Sequence, residues 1–354
     1  MAAGAGADYI TAYMERATPR VQEGIQLIFD NTATTLNLGP INSGDDDDGV
    51  AADDGATVIA GALALNSTLV ALNLSYNYIG VEGGRAIAGA LEKNTTLTWL
   101  NLARNFIDNN GARAIARALE ENTTLTTLIL YYNYIGVDGA RAIAGSLERN
   151  STLTVLYLGI NHIGDGGARA IATALERNST LTTLSLLGSD IGDVGAIAGA
   201  LKRNSTLTTL DLDDNDIGDD GARAIVGALA TNTTLTKLCL ADNRIGDDLL
   251  EQIDTLTTAS KTIDATWQRT KRFVMWRQLR STEVWRYQFG LDEELWEGGA
   301  AGAAAGAADT TNSKPASSSS DEDDSDEDDS DEDDSDEDDS DEVDAATVAH
   351  TGSA

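Results

Sequence analysis

Few side chains in this sequence could act together as acids, bases, nucleophiles or metal ligands. The chain has two histidines, His162 and His350, and one cysteine, Cys239. A reactive thiol needs a neighbouring base or positive charge to form thiolate, and Cys239 has no histidine partner in its motif. His162 fills a slot that neighbouring copies of the same motif fill with Tyr78, Phe106, Tyr134 and Asp190, so it reads as a variable surface position. No Walker loop, no G-x-G-x-x-G and no clustered zinc-ligand set occurs. The run Asp45–Asp48 lacks EF-hand spacing and reads as a solvated loop. The expectation is a chain with no catalytic residue, no metal and no cofactor, and so not an enzyme.

The chemistry on offer is recognition. Trp99, Asn101 and Arg104 stand close together, followed by Tyr131 and Tyr132, and then Tyr157. Exposed Trp and Tyr beside Arg is the composition of interface hot spots. Farther along, Asp211, Asp213 and Asp214 give an acidic end. These nine residues are the candidate partner-binding set.

The elements that position them recur. Leucines at 69, 97, 125, 153, 181, 207 and 235 open near-copies of one sentence, with steps of 28, 28, 28, 28, 26 and 28. The short step falls where "GARAIA" shrinks to "GAIA" near Gly195. A degenerate first copy begins near Thr34, giving about eight units up to Ser260. Each unit changes period midway. "LTWLNL" alternates, as a strand does, and "GARAIARALEEN" carries Ile115 and Leu119 four apart, as an amphipathic helix does. One such unit cannot bury its own apolar face, but stacked neighbours can. Leu72 and Leu74 then point inward, so Ala71, Asn73 and Ser75, and equivalents such as Trp99 and Asn101, point to the opposite face.

The pattern L-x-x-L-x-L-x-x-N resembles the leucine-rich repeat family. The 28-residue period and the tail "GARAIAxALE" resemble its ribonuclease-inhibitor-like subtype. The resemblance implies an α/β fold: a curved solenoid with parallel strands inside and helices outside. The same subtype occurs in the sensor ends of NOD-like receptors and in Ran GTPase-activating proteins. It therefore implies an interaction scaffold, with a regulator of a small GTPase and a receptor-like sensor as alternatives. The nucleotide-binding domain of such receptors is absent from this sequence, and no segment matches the activators' catalytic positions. The family's asparagine falls at Asn77, Asn105, Asn133, Asn161, Asn215 and Asn243, with Ser189 the one departure. A local irregularity is expected there.

Seven N-x-S/T sequons run from Asn66 and Asn94 to Asn232 in repeat register, where each helix must end. Asn tolerates a left-handed helix terminus, so a structural role is expected rather than glycosylation. Arg85, Arg113, Arg141, Arg169 and Arg223, with Glu92, Glu120, Glu148 and Glu176, read as a solvated ladder on the helix face.

The expected organisation is a helical N-terminal cap over 1–33, the solenoid over 34–260, a basic aromatic segment over 261–296 and a linker with an acidic tail over 297–354. Between Lys261 and Gly290 seven basic residues face two acidic ones, with Trp267, Trp276 and Trp285 interleaved. A membrane or nucleic-acid surface could use that mixture, but the last repeat also needs a cover, which favours a C-terminal cap. The tail is too charged to fold. It either solubilises the chain or contacts basic proteins. Ser320, Ser325, Ser330 and Ser335 each precede an acidic residue by three positions, which resembles the substrate motif of casein kinase II.

The net charge is −34; removing the 19 carboxylates between Asp321 and Asp344 leaves −15 for residues 1–314. Such a body disfavours nucleic acid and anionic membranes. No stretch is long and apolar enough to span a bilayer, and the first twenty residues lack the apolar run of a signal peptide. A monomeric intracellular protein, cytoplasmic or nuclear, is expected.

Overall fold

The computed structural model describes residues 10–15, 17, 19–39 and 52–259. The acidic run Asp45–Asp48, the expected C-terminal cap, the serine-rich tail and His350 lie outside the described residues.

Eight three-residue strands, β1 (Thr35–Asn37), β2 (Ala71–Asn73), β3 (Trp99–Asn101), β4 (Thr127–Ile129), β5 (Val155–Tyr157), β6 (Thr183–Ser185), β7 (Thr209–Asp211) and β8 (Lys237–Cys239), form one open sheet in chain order. Every pairing is parallel and in register, leucine beside leucine, as in Leu72↔Leu100↔Leu128. Helix α1 (Pro19–Phe29) precedes β1, and α2 (Ala52–Leu63) follows it. Then α3 (Gly80–Leu91), α4 (Asp108–Glu121), α5 (Val137–Leu147), α6 (Gly164–Leu175), α7 (Gly195–Leu201), α8 (Asp219–Leu229) and α9 (Asp247–Ala259) follow β2 to β8 in turn. Hydrogen-bonded strands sit about 4.8 Å apart and packed helices 8–10 Å apart, so the strand side is the inner side of a curved solenoid.

The leucine columns explain the register. Leu97, Leu100 and Leu102 are fully buried, with Ile107, Ile115 and Leu119 of the same unit, and the pattern repeats along the stack. Val21, Ile25 and Ile28 of α1 join the same core. Helices approach closely because small residues line their contacts: a Cβ at Gly139 of α5 would stand 3.1 Å from Ala112 Cβ of α4.

Leucines alone leave the turns unsatisfied, and two asparagine columns supply what is missing. In the first, Asn105 is fully buried. Its amide donates to Leu74 O of the preceding unit at 2.8 Å and to Ala103 O at 3.2 Å, while its Oδ1 accepts from Asn77 N at 2.8 Å. Asn133 and Asn161 repeat the arrangement. At the departure, Ser189 Oγ donates to Leu187 O of its own turn at 3.3 Å and, among the described residues, reaches no neighbouring unit. The expected irregularity shows as α7, only seven residues long where the flanking helices have 12 and 11.

The second column is the sequon asparagines. Asn94 donates to Leu63 O at 2.9 Å and Asn66 O at 3.0 Å, and accepts from Thr96 N and Leu97 N at 3.0 and 2.8 Å. At the third sequon position the backbone N–H closes that turn, and the Thr96 hydroxyl adds a second donor 3.4 Å from the same Asn94 Oδ1. The amide nitrogen a sugar would modify is buried and already donating. The expected mechanism needs correction: none of these asparagines has positive φ, and Asn122 is extended at φ −74°. The side chain, not a left-handed backbone, satisfies the helix end. The charged columns are solvated, but the expected partners differ: Glu120, Glu148 and Glu176 pair with Arg149, Arg177 and Arg203 of the next units, while Arg85, Arg113, Arg169 and Arg223 pair with Glu82, Asp138, Asp193 and Asp220. Exposed pairs of this kind contribute about 0–1 kcal/mol each.

Leaving buried donors and acceptors without partners costs about 1–3 kcal/mol apiece. Asn105→Ala removes the Oδ1 acceptor shared by Asn77 N and Ile79 N and one of the two amide donors to Leu74 O, the other being Asn77 Nδ2, so a loss of about 2–4 kcal/mol is expected in urea unfolding. Arg149→Ala should change stability by less than about 1 kcal/mol in the same assay.

Candidate functional site

The open strand face carries the residues singled out by sequence, but not all of them as exposed groups. Trp99, Asn101 and Arg104 are half-buried and Tyr132 is exposed. Asn101 Oδ1 accepts from Ala103 N at 2.9 Å, so part of its polarity serves its own turn. Arg104 lies between two rings, its guanidinium carbon 5.0 Å from the Tyr76 centroid and 4.5 Å from that of Tyr132.

Tyr131 and Tyr157 correct the expectation of an exposed aromatic centre. Tyr131 is 1% exposed and Tyr157 9%. The two rings stack at 5.6 Å and pack with Ala103, Ile129 and Leu187 into a second apolar cluster on the face away from the helices. The slots face as expected, but the rings lie down instead of standing up. The reason is Gly159 in the next unit: a Cβ there would collide with Tyr131 Cε1 and stand 2.8 Å from Leu187 O. That glycine was the available signal.

The buried tyrosine begins a polar chain toward the acidic end. Tyr131 OH donates to Ser185 Oγ at 2.6 Å, and Ser185 Oγ donates to Asp211 Oδ2 at 2.8 Å. Asp213 N donates to Asp211 Oδ1 at 3.1 Å, and Ala241 N to Asp213 Oδ1 at 2.6 Å. Ser185, which sequence reasoning passed over, thus links the aromatic and acidic regions. Burial pushes the Asp211 carboxyl up. Burial and the nearby Asp211 push Asp213 up to about 7. Asp214 is exposed; partial desolvation and then the charges of Asp242, Asp216 and Asp190 raise it too.

Asp211, Asp213 and Cys239 bring ligand-type atoms within 4.8 Å of one another. Their chemistry does not suit a metal. Three of the four carboxylate oxygens already accept hydrogen bonds. Burial and the two aspartates push the Cys239 thiol up to about 12, which opposes thiolate and nucleophilic chemistry alike.

A second surface runs along the rim where strands lead into helices. Tyr78 and Phe106 stack at 5.2 Å and 12°, Phe106 and Tyr134 at 5.4 Å and 21°, and His162 follows Tyr134 at 6.4 Å. Nδ1 of His162 then lies 2.9 Å from Asp190 Oδ2. The slot read from sequence as merely variable is therefore a continuous column. Tyr76, Tyr78, Arg104, Phe106, Tyr132 and Tyr134 all have φ between 52° and 60°. Left-handed backbone costs a non-glycine residue roughly 1–2 kcal/mol.

Seven segments match the family described as Leucine Rich repeat: 65–88, 93–116, 121–144, 149–172, 177–198, 203–226 and 231–248. The chain is a leucine-rich repeat protein. No curated protein matches it. Among solved structures, the chain is similar to leiomodin-1 actin-binding site 2, at 29% identity over 44% of this chain and 88% of that one, with a TM-score of 0.37. It is also similar to internalin C2 of Listeria monocytogenes str. 4b F2365, at 23% identity over 65% and 86%, with a TM-score of 0.42. Among the described residues, no helix of this leucine-rich repeat protein is long and apolar enough to cross a membrane.

The acid pair gives a pH signature. A carboxyl raised on folding stabilises the protein fully below its unfolded pKa, about 3.9, and that stability is lost as pH rises through the folded value. For Asp213 the loss extends through about pH 7. The melting temperature is expected to fall between pH 5 and pH 8. Asp213→Asn, whose amide oxygen can still accept from Ala241 N, should flatten that slope.

Proposed function

We propose that the repeat domain is a non-catalytic, intracellular protein-binding scaffold of the ribonuclease-inhibitor-like subtype, and that it takes a protein partner on its open strand face. The carrying observation is that Trp99, Asn101 and Arg104, with the neighbouring Tyr132, stand on that face outside the leucine core. Leucine-rich repeats commonly serve as protein-interaction modules. The 28-residue period with a helix in every unit supports the subtype.

Contact would centre on Trp99, Arg104 and Tyr132. Asp214 and the partly buried Asp211 and Asp213 would supply an acidic flank that sets encounter rate more than residence time. Tyr131 and Tyr157 act in this reading by shaping the floor, since buried rings offer no edge to a partner. The acidic flank suits a partner with a basic patch. A small GTPase is the first candidate to test, because the subtype occurs in activators of such proteins. The acidic tail would give basic proteins a second contact, with Ser320, Ser325, Ser330 and Ser335 as candidate phosphorylation sites that would add charge.

The test is calorimetry with an identified partner. Trp99→Ala is expected to weaken binding by about 2 kcal/mol or more, as truncation of a central aromatic anchor does. Arg141→Ala, on the opposite face, should change it by less than about 1 kcal/mol. Equal affinities of the two variants, both folded, would remove the strand face from the interaction. Tyr131→Phe should lower the melting temperature through the lost bond to Ser185 and leave affinity near that of the parent.

A further inference from the structure

Three of the six large apolar side chains that stand exposed among the described residues belong to one rim column, Tyr78, Phe106 and Tyr134, and a fourth, Tyr132, sets its ring 6.0 Å from Tyr134 at the border with the strand face. An exposed patch of this kind marks an interaction site more often than a packing accident. The patch is also costly in backbone terms. Later units fill the same left-handed slots with Ile160 and then with Gly188, Asp190, Asp214 and Asp242, of which glycine and aspartate accept positive φ more readily. Aromatic side chains at these positions gain nothing from the main core, so surface chemistry is the remaining reason for them.

The geometry limits what can bind. The inner rings face one another at 5.2 and 5.4 Å, so their faces are occupied and present no platform for a sugar or a base to stack on. They offer edges, spaced once per unit. An α-helix advances about 5.4 Å per turn, so one side chain per turn falls in step with one ring per unit. Beyond His162 the rim turns acidic. Asp190, Asp214, Asp216 and Asp242 crowd there, opposed by Arg244, which is 2.7 Å from Asp216, and by His162 if protonated. Among these four carboxylates one ion pair to an arginine is formed, Arg244–Asp216, so a cation placed beside Asp214 would meet net negative charge.

We propose that this rim is the docking site for an amphipathic α-helix of a partner protein, with an apolar half seated against Tyr78, Phe106 and Tyr134 and a Lys/Arg-rich half against Asp190, Asp214 and Asp216. The mode is a helix laid along a matching surface by its i, i+3/i+4 and i+7 anchors. It rests on the reading of the domain as a protein-binding scaffold but places a contact on the rim, separate from the strand face.

The probe is a displayed library of about 20-residue Ala/Gln helices with one face randomised, a length that spans six units at about 1.5 Å per residue. It is selected on the full chain. Enriched helices are expected to carry apolar residues once per turn in one half and Lys or Arg in the other. Their affinity should fall at least tenfold on the Phe106→Asn/Tyr134→Asn chain, in which asparagine accepts the left-handed backbone. Affinity should return in Phe106→Tyr/Tyr134→Phe, and melting curves confirm that each chain is folded. No enrichment, or equal affinity for the doubly substituted chain, overturns the proposal. Binding lost in Trp99→Ala but kept in the rim variant would overturn the rim site while leaving the strand-face reading intact. Loss in the rim variant, with binding by Trp99→Ala unchanged, supports the rim site and leaves the strand-face reading to its own test.

Discussion

The buried turns of this fold must be hydrogen-bonded, and everything else follows from how that is done. A stack of three-residue strands has little regular ladder per unit. Each strand is entered and left by backbone that runs through the interior, where an unpaired N–H or C=O is costly. Asn94 closes the entry to one strand and Asn105 closes its exit. Both reach into the preceding unit, and the Asn105 oxygen also accepts from that unit's Asn77 N–H. The apolar core supplies most of the driving force, but it tolerates slippage of one leucine past another. The two amides do not, because each must meet particular backbone atoms. They convert a greasy stack into a registered one.

That division explains what could be read from sequence. The leucine columns and the asparagine after each strand gave the parallel order, the alternation of strand and helix, and the weak unit at Ser189. Each of those features repeats, and repetition makes a small signal loud. The sequon asparagines were rightly placed at the helix ends, yet the backbone conformation assigned to them was wrong. Spacing shows where a residue stands but not whether its backbone or its side chain does the work.

The face residues were harder to read for a related reason. Alternation along a strand gives the side a side chain leaves from, but not the angle at which it lies. Tyr131 leaves from the open face and then folds over Gly159 into cover, a result of its neighbour one unit away. The rim column failed to register because its members differ: Tyr78, Phe106, Tyr134, His162 and Asp190 share a position but no chemistry that a pattern search rewards. Their rings meet at 5.2 and 5.4 Å only once the units are stacked.

In a repeat protein each unit touches only its neighbours, so constraint and variation separate cleanly. The core slots answer to the unit above and the unit below, and they barely change along the chain. The open-face and rim slots answer mainly to one another across units, and they vary, with aromatics at Trp99, Phe106, Tyr131 and Tyr134 and carboxylates at Asp190, Asp211, Asp213 and Asp214. The same change appears in two adjoining columns. Tyr132 gives way to Asp214 beside the floor, and Phe106 to Asp190 on the rim. The two columns meet where Tyr132 and Tyr134 set their rings 6.0 Å apart, edge to face, so the change from aromatic to acidic is shared between them. The surface is therefore asymmetric along the stack, aromatic around Phe106 and Tyr134 and anionic around Asp190 and Asp214. A partner that reads both regions can bind in only one direction.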